Sequence, residues 1–229
     1  MARSKGFLIT LSIVIFVVLV SVPLLTARHY MIFSLLIMFV SFIPFTIRFA
    51  QQKLSSRELV MLAVLGAIAA VSRVPFSSLP SVQPTTFVVI VTGIALGPQS
   101  GFVVGLLAAI VSNLFLGQGP WTPWQMYCWG MIGLIAGLLK NRWLMKNRVG
   151  LCTYGFFMGI LFGWVMNLWF IIAVIQEFDW NAILLYYSAS FWFDLAHALS
   201  NVFFLFLFSV SWIRILERFK RKYGLFTGN

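Results

Sequence analysis

Apolar residues run along this chain in long blocks. They show neither the alternation of a half-buried strand nor the single stripe of a helix lying on a soluble core. Eight blocks stand out, at 7–26, 30–50, 58–75, 84–97, 101–116, 122–139, 150–175 and 182–213. The most telling stretch runs from Val74 to Leu139, which contains no Asp, Glu, Lys, Arg or His. Two Gly/Pro punctuations, Gly97-Pro98-Gln99-Ser100-Gly101 and Gly117-Gln118-Gly119-Pro120-Trp121-Thr122-Pro123-Trp124, cut it into short hydrophobic helices. Helices of a water-soluble core carry charge on their wet faces, so the solvent implied here is lipid.

The predicted lengths are uneven. Block 84–97 makes about 21 Å of helix, too short to cross a hydrocarbon core of about 30 Å upright. Block 182–213 makes about 48 Å and must tilt, bend or project beyond the membrane. Short helices beside long ones leave a dent on one face. A shortened span under a set of loops suggests a pocket for a bulky, partly polar ligand.

Composition agrees with this picture and narrows it. With 61% hydrophobic and 9% charged residues in 229, and a mean hydropathy of +0.98, nearly the whole chain is membrane, leaving no room for a soluble domain. The net charge of +11 does not read as a nucleic-acid footprint, because the basic residues cluster at block ends. Placing the N-terminus inside puts fourteen of the sixteen Lys and Arg residues on the cytoplasmic side, with Arg28 and Arg73 opposite. Both termini are then cytoplasmic, in a multi-pass membrane protein. The loops 76–83, 117–123 and 176–181 lie outside, bringing Gln83, Gln118, Trp121, Glu177, Asp179 and Trp180 to that face, with Trp124 just beyond. Phe7 to Leu25 is long for a signal-peptide core and no small-x-small site follows it, so an uncleaved first span is expected. Cys128 and Cys152 form no CxxC pattern and read as packing residues.

Candidate chemistry is sparse. Ala63 and Ala67, beside Gly66 and Ala70, give block 58–75 a small-residue face that serves either internal packing or docking of a partner helix. Gly159-x3-Gly163-x3-Asn167 is a second small stripe, for which internal packing is favoured. Ser190, Asp194, His197 and Asn201 share one face of the last block, and His197 is the expected partner of Asp194. Such a face is read as a structural hydrogen-bond stitch, part of a ligand site, or a proton-transferring dyad acting on a lipid-like substrate. With His29 and His197 as the only histidines, a metal site is not expected, and no cofactor is implied. There is no GxxxxGK[ST], so P-loop binding of ATP is excluded.

With these residues in place, the chain resembles a substrate-binding S component of an energy-coupling factor (ECF) transporter. The resemblance covers residues 56–216 and rests on the Ala63-x3-Ala67 face, the short second helix, the turn from Leu96 to Leu107 and the paired cytoplasmic termini. It implies an all-α polytopic membrane protein with a six-helix core at 56–216; the transmembrane hairpin at 1–55 is an addition to that core whose role stays open, and a basic cytoplasmic tail follows at 217–229. It also implies a non-enzymatic role. The chain would capture a vitamin at the outer face and dock on a transmembrane T component carrying two ATPases. Ala63 and Ala67 would be the docking pair, with Gly66 and Ala70 beside them. The Gly117–Gln125 loop, Asn167 and the Asp194/His197/Asn201 face look most like cobalamin-type S components. On that reading Gln83, Asn113, Gln118, Trp121, Trp124, Gln125, Asn167, Asp194, His197 and Asn201 face the ligand. A queuosine precursor, a folate or another vitamin is the alternative cargo. Trp121, Trp124, Trp129 and Trp180 suit either a large flat ligand or an aromatic belt at the headgroups.

Overall fold

The computed structural model describes residues 54–119, 121–174 and 179–226. The spans expected at 7–26 and 30–50, with Arg28 and His29 between them, lie outside the described residues, as does Glu177. Among the described residues the fold is all-helical: α1 Ser56–Val71, α2 Thr85–Leu96, α3 Pro98–Leu116, α4 Thr122–Leu138, the four-residue α5 Trp143–Lys146, α6 Arg148–Val174 and α7 Trp180–Tyr223. Three of these, α3, α6 and α7, are long and apolar enough to cross a membrane.

The breaks between helices have local causes. Ser55 caps α1 in a reciprocal capping box with Glu58: the Ser55 hydroxyl accepts from the Glu58 N–H, and Glu58 Oε2 accepts from the Ser55 N–H at 2.7 Å. At the first Gly/Pro punctuation the interruption is narrower than the sequence suggests. Gly97 alone breaks the helix, at φ 109°, and Pro98 already occupies the first turn of α3. Gly117, at φ 104°, ends α3, and α4 opens with Pro123 in its first turn. The last helix runs unbroken for 44 residues, about 66 Å, well past the expected end at 213 and into the basic tail. It stops at Gly224 in the left-handed conformation.

Hydrogen bonds fix how the helices pair. The ends of α1 and α3 meet the starts of α2 and α4, and α6 finishes where α7 begins; this common end is called the Trp121 end. At the opposite, basic end the Phe226 N–H donates to Glu58, tying the close of α7 to the start of α1. All twelve residues of α2 are buried. A helix that is apolar all round belongs inside other helices, and α2 packs against α1, α3, α4, α6 and α7. Its length of about 18 Å is therefore no obstacle, since it need not span lipid by itself. The close packing requires glycine. A Cβ on Gly101 would lie 2.6 Å from the Gly133 carbonyl oxygen and 2.7 Å from Gly93 Cα, so α2, α3 and α4 touch backbone to backbone there. The α6–α7 seam is built similarly: a Cβ on Gly159 would meet Ala198 Cα at 2.6 Å, and one on Gly163 would strike the Asp194 carboxylate. The Gly159/Gly163 stripe is thus spent on internal packing.

Candidate ligand site

Two polar clusters lie within the apolar bundle. The first, at the Trp121 end, starts from Arg73, just past the end of α1. Its Nη1 donates to Ser112 Oγ at 2.7 Å and Asn113 Oδ1 at 3.0 Å on α3. Its guanidinium carbon stands 5.0 Å from the ring centroid of Trp129 on α4. Asn113, buried, passes the network on by donating to Thr122 Oγ1 at 2.9 Å and Gln125 Oε1 at 2.7 Å. Gln118 joins from the loop: its Oε1 accepts from Thr122, and its Nε2 donates to the Ile110 carbonyl. Deeper in, the Trp129 indole donates to Thr86 Oγ1 at 3.0 Å, and that hydroxyl also lies 3.0 Å from His197 Nε2. Phe162 closes the edge of His197, ring centroids 4.8 Å apart. Four helices, α2, α3, α4 and α7, and the turn after α1 are thereby linked through one polar chain.

The second cluster belongs to the α6–α7 seam. Asp194 Oδ2 accepts from Asn167 Nδ2 at 3.1 Å and Ser190 Oγ at 3.2 Å, and Asn167 also donates to Ser190 at 2.6 Å. The sequence expectation that His197 partners Asp194 is corrected. The two sit one turn apart on α7, but Asp194 turns to α6 while His197 turns to Thr86 on α2. Asn201 is a stitch of the same seam, donating to the Gly155 carbonyl at 3.0 Å. Of the ten residues expected to face ligand, Asn113, Gln118 and Gln125 are joined by hydrogen bonds at the Trp121 end, and His197 connects to them through Trp129 and Arg73. Asn167 and Asp194 form a separate group.

Not every polar atom here is satisfied. Gln83 is anchored through its N–H to Ser200 Oγ at 3.2 Å, yet its buried Oε1 has no partner; nor do the buried indole nitrogens of Trp124 and Trp169. Trp169 stands edge-on to Trp121 at 6.0 Å. The four expected rim tryptophans divide. Trp180 is exposed and Trp121 half-buried, whereas Trp124 and Trp129 are core residues rather than members of a belt. Arg73, Ser112, Thr86 and Thr122 were not among the sequence-based site residues. The available signal was Arg73 itself, a cation breaking the charge bias at the edge of the charge-free stretch.

The small-residue face of α1 also divides. Ala63 and Ala67 are exposed, in line with exposed Val60, Val64 and Ile68. Gly66 and Ala70 lie on the opposite side, buried, with Gly66 against Leu107. Beside the exposed face, Val60, Val64, Ile68, Trp212, Ile215 and Phe219 line an apolar groove of about 780 Å³ between α1 and α7.

Comparison with known families supplies the decisive observation: the model for "ECF transporter, substrate-specific component" matches residues 57–219. The chain belongs to this family. Its curated relatives include UPF0397 proteins of Aliivibrio fischeri, 30% identical over 101 residues (42% of this chain, 54% of the relative), and of Aliivibrio salmonicida, 28% identical over 120 residues (50% and 65%). The chain thus spans between about half and two thirds of the length of these relatives. No solved structure matches. As an ECF substrate-specific component, the chain presents the Arg73–Asn113–Trp129 cluster and the exposed Ala63/Ala67 face as its two candidate working surfaces.

Proposed function

We propose that this S component captures a micronutrient at the outer face of a bacterial membrane and releases it inward when partner subunits hydrolyse ATP. The observation that carries the reading is the family match across residues 57–219, which reaches into every described helix. The Trp121 end is read as the outer, ligand-facing side, supported by the concentration of basic residues at the other end. Unsatisfied polar atoms at Gln83, Trp124 and Trp169 support a ligand there, because buried polar groups are ordinarily paired. The chain itself is not an enzyme on this reading, and the separation of Asp194 from His197 removes the dyad a catalytic alternative would use.

Docking on a transmembrane T component, itself coupled to two ATPases, is assigned to the Ala63/Ala67 face of α1. Two small exposed residues one turn apart let a second helix approach closely. For the cargo, a corrinoid is favoured among vitamins. The edge-on Trp121–Trp169 pair offers aromatic surface, and Gln118 in the neighbouring loop and the unpaired Gln83 Oε1 offer amide groups for its side chains.

Reconstitution decides the transport reading. The chain alone in liposomes should bind vitamin without concentrating it, and uptake should require the coupling subunits and ATP. Sustained uptake against a gradient by the chain alone would falsify the assignment. A corrinoid copurifying with the protein would announce itself by visible absorbance; its absence from a ligand-loaded sample would point to a different cargo.

A further inference from the structure

Arg73 is a half-buried cation in the turn that follows α1, at the edge of an apolar bundle. A partly desolvated cation is favoured by a counter-ion. Arg73 pairs with no carboxylate among the described residues. Its bonds go to a neutral hydroxyl and a neutral amide, and both are made by Nη1 alone. The carboxylates that the structure describes in hydrogen bonds are engaged elsewhere: Glu58 with Ser55 and Phe226, Asp179 with Asn181, and Asp194 with Asn167 and Ser190. Nη2 and Nε make no bond to a described residue, so one edge of the planar fork is left over.

The surroundings hold that edge in place. Trp129 lies against the guanidinium, and its own indole is pinned by Thr86, which leaves the ring little freedom. Ser112 and Asn113 fix Nη1 from α3, and Asn113 is in turn held by Thr122 and Gln125 at the start of α4. A guanidinium held on one side and open on the other matches the two oxygens of a carboxylate or phosphate, which accept parallel N–H donors. Preorganisation of this kind lowers the entropy lost on binding.

We infer that Arg73 is the anion-recognition residue of this S component, and that its cargo carries a carboxylate or phosphate which pairs with the open edge of the guanidinium. The inference rests on the proposed capture role and adds the chemical class of the ligand. A corrinoid meets the requirement through the phosphodiester of its nucleotide loop; an uncharged vitamin does not. The anionic group supplies the missing counter-charge, while the amides of Gln118 and Gln83 lie on the neighbouring loops for the polar remainder.

The test uses the purified full chain in nanodiscs of phosphatidylcholine, with tryptophan fluorescence as the readout, since Trp129 lies under the guanidinium. Probes are given as matched pairs: pantothenate and pantothenol, nicotinate and nicotinamide, biotin and biotin amide, pyridoxal phosphate and pyridoxal, and cobalamin against cobinamide, which lacks the phosphodiester. At least one anionic member should bind, and its neutral or phosphate-free counterpart should bind about 10- to 100-fold more weakly, the worth of a charge-assisted bond. Arg73→Gln should impose a similar loss and Arg73→Lys a smaller one. The pairs compare ligands on the unaltered protein, so the test survives a poorly folded variant.

Equal binding of an acid and its neutral counterpart overturns the anion inference and leaves the capture role standing. So does a bound ligand whose affinity Arg73→Gln does not change. A fluorescence change produced by replacing phosphatidylcholine with phosphatidylglycerol, and blocking the probes, assigns Arg73 to a lipid headgroup and overturns the inference as well. Failure of every member to bind counts against both the inference and the capture role.

Discussion

Among the described residues, half-buried Arg73 and buried Asp194 are two oppositely charged groups set within the bundle, and the protein treats them differently. Asp194 is closed off. Two donors, from Asn167 and Ser190, converge on Oδ2, and Oδ1 packs over Gly163, so the carboxylate sits in the α6–α7 seam. Arg73 is open: two acceptors on α3 take one of its nitrogens, an indole takes one face, and the rest of the fork is unspent. A charge at depth in a membrane protein is a functional hypothesis by default. The contrast teaches that the default needs a second question, namely whether the protein has already satisfied the group. On that criterion the aspartate, conspicuous in the sequence, reads as part of the helix seam, and the arginine, inconspicuous, is the proposed ligand contact.

The largest effect expected from breaking this contrast comes from the floor beneath Asp194. Gly163→Leu would drive a branched side chain into the carboxylate across the α6–α7 seam. The cost should be about 3 kcal/mol or more, since neither helix can yield without breaking neighbouring contacts. Fluorescence-detected size exclusion should show loss of monodisperse protein. A well-folded Gly163→Leu with unchanged thermal stability would mean the seam is looser than its backbone contacts imply.

Asp194→Ala comes next. It removes the acceptor that Asn167 and Ser190 share; because Asn167 keeps Ser190 and Ser190 keeps the Tyr187 carbonyl, the loss should be about 1–2 kcal/mol, the worth of hydrogen bonds to a charged group. Ligand affinity should hardly move, the reverse of the pattern expected for Arg73→Gln. A large affinity loss in Asp194→Ala at full thermal stability would erase the distinction between the two clusters.

Why was the arginine hard to see? The helical blocks were legible because hydropathy and Gly/Pro punctuation act locally. The short α2 and the breaks at Gly97 and Gly117 follow from residues within a few positions of each break. The α7 boundary was missed because the basic tail reads as a departure from apolar character, whereas its Arg and Lys residues are good helix formers and the helix simply continues to Tyr223. Spacing along one helix also placed Asp194 and His197 on one face. It could not say that α6 lies on one flank of that face and α2 on the other, so their pairing was misjudged. Arg73 was read as a topology exception because charge statistics ask on which side a residue lies. That question does not reach Ser112 and Asn113, which meet it only once α1 and α3 are packed.

The face of α1 offers a gentler comparison, between two neighbours in sequence. Gly66→Trp fills a position where even a Cβ would crowd Leu107, so it should lower stability by about 2 kcal/mol. Ala67→Trp projects from the exposed side and should leave the isolated chain's melting temperature and ligand binding intact. With the coupling subunits present it should abolish uptake. If Ala67→Trp copurifies normally with a T component and transports at the usual rate, the docking face lies elsewhere.

The smallest effects separate two buried indoles on α4. Trp129 donates its N–H to Thr86, while the N–H of Trp124 meets nothing. Trp129→Phe should therefore cost about 1 kcal/mol, and more than that in ligand affinity if Arg73 loses its fixed platform. Trp124→Phe removes a donor that contributes no bond to the empty protein, so thermal stability should stay within about 0.5 kcal/mol of the parent. Its ligand affinity decides what the donor is for. A drop of about fivefold, the worth of one neutral hydrogen bond, would place Trp124 against the cargo and extend the site inward from Arg73. Unchanged affinity would instead make that N–H a tolerated flaw of packing, and would confine recognition to the network around the arginine.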